Sequence, residues 1–455
     1  MKLLLLAGAG TSVELGVPAM VGLAEEFIDH AKQWRVEPDL VRQLLGNTLD
    51  IEHLIERLDQ ICSARDPLQS IGQDPEILSR ADTIRAEVEW FVQHAAERVI
   101  SREAQLLWGP LLRATREMEL TIATTNYDRA IELAANADGI SIEDGYGSFG
   151  ATDTAEWQGF SKGHSNILLV KLHGSTDWYL ENEQGSPKKL RHPMPLFGRS
   201  TLKMPTGLEL GSALILPSRE KLLTRQPYPR LSQAFLNAAD ECNFAIVIGS
   251  SLRDHHLRAA VESIAERAPV FLVNPEGSNL NLDRATGISQ TASAFLTGRL
   301  PVAIRCRDPI RTLHDAAKAP LTQPINCLHP LAAALDTEAD EATRCAALDQ
   351  LESAGIVIDS EWLRTLIQGT SSEVARYSLG FLVQTPDSET LLDLARSCPH
   401  AANGSAFHED VALLESMLSQ KPGTETRNRK PGNRETGDSH LWEIWETGDS
   451  HLLKR

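Results

Sequence analysis

An α/β fold is predicted: a doubly wound parallel sheet carrying a helical insertion, followed by a small all-helical C-terminal domain. Three observations predict it. Short apolar runs without polar alternation, such as Leu3–Leu6 and Phe244–Ile248, have the pattern of parallel strands buried on both faces. Helical spacing appears between some of them, as at Leu257, Val261 and Ile264 after the Phe244 run. The chain has 455 residues, more than one ordinary domain needs, and its character changes near Arg307.

The expected strands, in order, are Leu3–Leu6, Thr121–Thr124, Ile167–Leu172, Ala213–Leu216, Phe244–Ile248, Val270–Val273 and Pro301–Ile304. Between the first two, three helical stripes recur. They are Leu23, Phe27, Ala31 and Trp34; then Ile51, Leu54, Ile55, Leu58 and Ile61; then Ile77, Ala81, Ile84, Val88, Phe91, Ala95 and Val99. Residues from about 20 to 108 therefore read as a helical insertion beside the sheet. The expected divisions are 1–305 for the sheet domain, 306–420 for a helical domain and 421–455 for a disordered tail. The helical section has a weak signal of helix-pair repeats. The tail is polar, poor in aliphatic residues, and contains ETGDSHL twice. That duplication reads as repeated coding DNA or an altered reading frame more than as a functional repeat.

Composition excludes several classes. The formal net charge is −18, which argues against general nucleic-acid binding. Cys62, Cys242, Cys306, Cys327, Cys345 and Cys398 include no CxxC pair, so a four-cysteine zinc site is not expected. Their scatter reads as reduced thiols in a cytoplasmic protein. Met1-Lys2, Leu3–Leu6 and Ala7-Gly8-Ala9 imitate a signal peptide, but the apolar run falls short of the roughly 7–15 residues of an h-region. A buried strand entering a glycine turn explains it better. No later segment approaches the roughly 18 apolar residues of a membrane span, so no membrane partner is expected.

Five motifs follow buried runs. Gly8-Ala9-Gly10-Thr11-Ser12, with Gly16-Val17-Pro18 after it, follows the first. Glycines there let a backbone approach a pyrophosphate, or simply make a tight turn. The dehydrogenase fingerprint G-x-G-x-x-G fails, because Val13 stands at its third glycine. In Thr124-Thr125-Asn126-Tyr127-Asp128, Asn126 can orient a sugar hydroxyl or a water, and Asp128 can accept from a carboxamide. Both also suit a plain helix cap before Arg129–Ala135. In Lys171-Leu172-His173-Gly174-Ser175, His173 can take a proton near neutral pH, although a lone histidine is more often structural. Val247–Leu252 and Leu272-Val273-Asn274-Pro275 close two further runs. Their Gly249, Ser250 and Asn274 suit adenosine or ribose contacts, or ordinary strand-to-helix turns.

In this order, the motifs resemble the sirtuin family over about residues 1–305. The resemblance implies a Rossmann-like fold with NAD as substrate. It implies NAD contacts at Ala9, Gly10, Ser12, Gly249, Ser250 and Asn274. Asn126 and Asp128 would lie around the nicotinamide ribose and carboxamide, and His173 would be the catalytic base. The departures matter as much. The paired zinc cysteines are absent, and the sirtuin G-I-P-D-F-R becomes Gly16-Val17-Pro18-Ala19-Met20-Val21. In this the chain resembles the zinc-less sirtuin-like proteins of bacterial antiphage defence. Members of that group hydrolyse NAD and assemble into homo-oligomers, some with a DNA-translocase ATPase partner. NAD hydrolysis without a metal is therefore the expected activity. Protein deacylation or ADP-ribosylation is a second reading, and a non-catalytic NAD or ADP-ribose sensor a third.

Overall fold

The structure, a computed structural model, describes residues 1–419 apart from 34–37, 47–48, 64–74, 152, 162–164, 181–186, 193–200, 204–208, 215–225, 276–281, 319–325, 386 and 403–404. Trp34, the side chain of Ile77 and the tail with its duplicated ETGDSHL lie outside the described residues. The chain separates into two compact units. One holds Met1–Ser293 with Leu313–Lys318; the other holds Ala294–Thr312 and the described residues after 318.

The first unit is built on a six-stranded sheet, parallel at every pairing. Its strands are β1 (Lys2–Ala7), β2 (Glu119–Thr124), β4 (Ile167–Lys171), β9 (Phe244–Ile248), β10 (Val270–Val273) and β11 (Ala285–Ile288), in the order β11-β10-β9-β1-β2-β4. The chain therefore starts in the middle, winds outward on one side, then returns to wind outward on the other. That is the doubly wound Rossmann-like order. Period-2 alternation explains the apolar runs. Leu4 and Leu6 join Ala123, Val170, Val247 and Leu272 in one core, while Leu3 and Leu5 alternate to the other face and are equally buried. Each leucine so buried contributes roughly 1.5–3 kcal/mol. Helices α8 (Tyr228–Glu241) and α9 (His255–Ala265) supply the apolar stripe that meets the first face, through Leu231, Phe235, Leu257 and Val261.

Between β1 and β2 lie the short α1 (Gly10–Val13) and then α2 (Met20–Gln33), α3 (Pro38–Leu45), α4 (Ile51–Ser63), α5 (Pro75–Ala96) and α6 (Ser101–Ala114). The three stripes do what their spacing requires. Leu23, Phe27, Leu54, Ile55, Leu58, Ile84, Val88 and Phe91 form a core of their own, and Tyr179, Leu190 and Tyr127 pack against it.

Two expectations are corrected. Ala213 and Leu214 are not a strand; the strand there is β8 (Glu209–Ser212), and Ile215 and Leu216 lie outside the described residues. It belongs to a second, antiparallel sheet, β3-β6-β5-β8-β7, with β3 (Thr154–Glu156), β5 (Trp178–Leu180), β6 (Lys188–Leu190) and β7 (Thr201–Lys203). Pro301–Ile304 is not a strand but part of the helix Leu300–Arg305, where the proline takes the first turn and loses no hydrogen bond by lacking its N–H.

The second unit is helical. Three helix pairs follow one another: Leu328–Leu335 with Glu341–Ser353, Ser360–Ile367 with Ser372–Ser378, and Ser388–Ser397 with Ala406–Ser419. First helices pack on first helices and second on second, the stacking of an α-solenoid. Asp340, Asp359 and Ser371 cap their helices with side-chain oxygens.

Candidate active site

Strand register sets the frame. Ile288, Val273, Ile248, Ala7, Thr124 and Lys171 pair across the sheet as one row at its C-terminal edge. Every candidate residue follows that row within a few positions. Asn274 leaves β10, Gly249 and Ser250 leave β9, Ala9, Gly10 and Ser12 leave β1, Asn126 and Asp128 leave β2, and His173 leaves β4. The change of winding direction falls between β1 and β9, where an open α/β sheet forms its ligand crevice.

At that point the backbones of two loops touch. Gly8 N donates to Ile248 O at 2.9 Å and Gly10 N to Gly249 O at 2.8 Å. A Cβ on Gly10 would lie 2.7 Å from the Gly249 Cα. One on Gly249, whose φ is +60°, would lie 2.6 Å from Thr11 N. So these glycines are needed first for loop-on-loop packing. Thr11 N and Ser12 N donate back to Gly8 O and Ala9 O, each at 3.0 Å, whereas Ala9 N makes no hydrogen bond among the described residues.

Asn126 is the hub of the next layer. Its backbone N–H donates to Thr124 Oγ1 at 3.0 Å. Its side-chain amide donates to Gly8 O at 3.0 Å, Thr11 Oγ1 at 2.9 Å and Ser12 Oγ at 2.8 Å. The amide N–H groups are thus committed to the first loop, and Oδ1 is the atom left for a ligand. Ser12 is buried and passes the network on, its hydroxyl donating to Asp128 Oδ2 at 2.5 Å. Asp128 Oδ1 accepts from Ala130 N at 2.9 Å, at the entrance to α7 (Ala130–Ala137). Asp128 therefore turns the chain into α7 and joins the site at once, while the N-cap position itself is Arg129, which makes no side-chain cap bond. Below it, buried Lys171 donates to the Asp128 carbonyl and lies 3.3 Å from Glu132, whose carboxyl burial pushes up against the pull of Lys171.

His173 stands two residues beyond the Thr124–Lys171 pair, in the turn after β4, the strand that pairs with the one Asn126 leaves. Gly174 turns the chain at φ +87°, and a Cβ there would meet Ala213 O at 2.8 Å. Thr176 N donates to Tyr127 O at 3.0 Å, tying the His173 loop to the Asn126 loop. Burial holds the imidazole below its ordinary pKa, and the Asp254 carboxylate opposes that pull. The ring is thus in its basic form at neutral pH.

The structure joins Asn126, Ser12 and Asp128 by direct hydrogen bonds, and Gly10 to Gly249 by backbone contact. Ser250 accepts from Leu252 N at 3.2 Å, and Asn274 N donates to Ile288 O at 3.1 Å, so both stand on the same edge without joining the Asn126 network. Sequence reading gives no role to Thr11, Thr124, Lys171, Glu132 or Asp254. Thr11 and Thr124 carried a signal, hydroxyls inside motifs already singled out. Asp254, which the structure shows capping the helix His255–Ala265, lies outside every motif singled out.

Residues 120–286 match the family model described as the SIR2-like domain. They include Asn126, Asp128, His173, Gly249, Ser250 and Asn274, but not the first glycine loop. No curated protein matches the chain in sequence. Among solved structures, a Sir2 homologue in complex with NAD is 12% identical at a TM-score of 0.41, the match covering 70% of this chain and 90% of that one. A Sir2 homologue mutant bound to 2′-O-acetyl ADP ribose is 14% identical at a TM-score of 0.38, covering 70% and 92%. Among the described residues, no helix is long and apolar enough to cross a membrane, and no group of three or more His, Cys, Asp or Glu is placed to hold a metal ion.

Proposed function

We propose that the first unit binds NAD at this edge and hydrolyses its nicotinamide–ribose bond. The observation that carries the reading is the Asn126–Ser12–Asp128 network beside a basic His173, at the winding switch, in a chain with a SIR2-like domain. The loops leaving β1 and β9 would take the adenosine and pyrophosphate, with Ala9 N as the amide open to a phosphate oxygen and Gly10, Ser12, Gly249, Ser250 and Asn274 around it. Asn126 Oδ1 would hold the nicotinamide ribose or the incoming water.

The carbon–nitrogen bond breaks first, its electron pair leaving with nicotinamide and neutralising the pyridinium. The ribose carbon becomes oxocarbenium-like, as in glycoside hydrolysis. Water forms the new carbon–oxygen bond, and its proton passes to His173, directly or through a ribose hydroxyl. The products are nicotinamide and ADP-ribose. Deacylation is the weaker reading, because Asp, Phe and Arg are missing after Pro18 and no paired cysteines build a peptide-holding module.

Purified protein incubated with NAD should release nicotinamide and ADP-ribose on chromatography. His173→Ala should abolish that release with unchanged thermal melting. Full turnover in a normally melting variant would remove His173 from the mechanism. A role in antiphage defence by NAD depletion, a homo-oligomeric state and a DNA-translocase ATPase partner rest on the sequence resemblance alone. Light scattering of the full chain and phage challenge of cells carrying His173→Ala test the first two.

A further inference from the structure

Among the described residues, the charged group that acts on His173 is Asp254, which comes from outside the strand-end motifs that Asn126 links. Asp254 Oδ2 lies 3.9 Å from His173 Nε2. The two carboxylate oxygens are divided between two tasks. Oδ1 accepts from His256 N at 2.9 Å and Leu257 N at 3.3 Å, capping α9. Oδ2 is turned toward the imidazole. At 3.9 Å the pair is too long for a hydrogen bond and short enough for a strong charge interaction in a half-buried site.

The segment that presents Asp254 is held at several points. Gly249 has φ +60°, and Leu252, a residue with a branched side chain, has φ +49°. Backbone in that region costs a non-glycine residue about 1–2 kcal/mol and persists where the surroundings over-determine it. Leu252 is buried in the sheet core, and its N–H donates to Ser250 Oγ. Arg253 donates to Asp50 Oδ2 at 2.8 Å, so the guanidinium beside Asp254 is drawn to the insertion instead of to Asp254 itself. Asp50 Oδ1 in turn accepts from Glu52 N at the start of α4. Among the described residues, the charged and titratable groups around the pair include Arg253, His255 and His256 on the stretch that carries Asp254, Asp50 and Glu52 on the insertion, Tyr127 on the β2 loop and Tyr228 on α8. Burial, Asp50 and Asp254 keep the Glu52 carboxyl above its ordinary pKa. Both phenols are raised by burial beyond the range where they would titrate with His173.

We propose that Asp254 is the positioning residue of His173. Its Oδ2 keeps the ring proton on Nε2, leaves Nδ1 with the lone pair, and holds the imidazolium once Nδ1 has taken the proton. The proposal rests on the hydrolase reading for its catalytic half, but the charge pair itself does not.

Asp254→Asn separates the roles, because asparagine caps a helix as well as aspartate does and carries no charge. The full chain, labelled with ¹³C-histidine, would be titrated by NMR, with the His173 signal assigned from its absence in His173→Gln. The expected result in Asp254→Asn is a His173 pKa lower by at least about half a unit, since the charged form loses its partner. The acid limb of kcat/KM for NAD should move to lower pH by the same amount. The value of kcat should fall about tenfold or more, part of what a general base supplies, with KM within about twofold. Asp254→Ser, another capping variant without charge, gives the same readout if the asparagine protein folds poorly. An unchanged His173 pKa overturns the proposal and leaves Asp254 a cap. So does a lowered pKa with wild-type kcat. A lowered pKa in a protein whose wild type leaves NAD intact supports the pair and instead defeats the hydrolase reading.

Discussion

Replacing Ser12 by alanine removes one oxygen and tests the network at its narrowest point. The hydroxyl accepts from Asn126 at 2.8 Å and donates to Asp128 at 2.5 Å. Asn126 survives the loss, because Gly8 O and Thr11 Oγ1 still accept from its amide. Asp128 does not, because Oδ2 is buried and has no other hydrogen-bond donor among the described residues. A hydrogen bond to a charged group is worth about 1.5–3 kcal/mol, and an orphaned buried acceptor carries its desolvation cost as well. The expected loss is about 2 kcal/mol, or about 3–4 °C in the melting temperature of a unit this large. Differential scanning calorimetry of Ser12→Ala, Asp128→Asn and the double variant would isolate the pair, with a coupling of about 1–2 kcal/mol expected. Additive effects, or a Ser12→Ala melting temperature within about 1 °C of wild type, would refute the network as drawn.

Three further outcomes follow, from a pair of glycines, a buried carboxyl and the cysteine spacing. Gly249→Ala forces a Cβ against Thr11 N at φ +60°, where no flexible side chain can yield, and should cost about 2–5 kcal/mol in thermal melting. Gly139→Ala, with φ +61° and open space around it, should cost only about 1–2 kcal/mol, and equal losses would mean that the close approach of the loops is not real. Burial pushes the Glu97 carboxyl up to about 7 from 4.5, against the pull of Arg129. Its folded-state pKa is raised, so the stability it permits is complete below pH 4.5 and is lost as pH rises through about 7. That shift corresponds to about 3 kcal/mol, which partial exposure cuts to about 1–2. Glu97→Gln should therefore raise the melting temperature at pH 8 and leave it unchanged at pH 4; equal effects at both would contradict the burial argument. Elemental analysis should find far less than one zinc per chain, and about one zinc per chain would revive the deacylase reading.

What was legible in the sequence was what local pattern can carry. β9 and β10 are interior strands and uniformly buried, and β1 is buried after Lys2, so a run such as Phe244–Ile248 has no polar residue to confuse it. The motifs at their ends were visible because strand and loop are adjacent in sequence. The second sheet was not visible, because its strands are three or four residues long and read KKL, TLK or ELGS, too short and polar for any period. β11, with the sequence ATGI, fails for the same reason at the sheet edge. Pro301–Ile304 shows the converse error, since four apolar residues suit a buried helix as well as a strand. At the site, the bond between Ser12 and Asp128 spans 116 residues, and no local spacing announces it.

The helical insertion bears on function in a way that its stripes alone do not suggest. It replaces nothing in the sheet, and its core could have been a separate bundle. Instead Tyr127, between Asn126 and Asp128, packs against that core, and so do Tyr179 and Leu190 from the second sheet. Gln93 on α5 donates to Thr176 O and Tyr179 Oη, each at 3.1 Å, just past His173. Asp50 takes Arg253 beside Asp254. The insertion thus touches the loops after β2, β4 and β9, the three that carry Asn126, His173 and Asp254. A shift of α4 or α5 would have to move at least one of those loops. The geometry of those three loops is therefore set by Asp50, Gln93 and the core that Tyr127 packs against as well as by the motifs themselves.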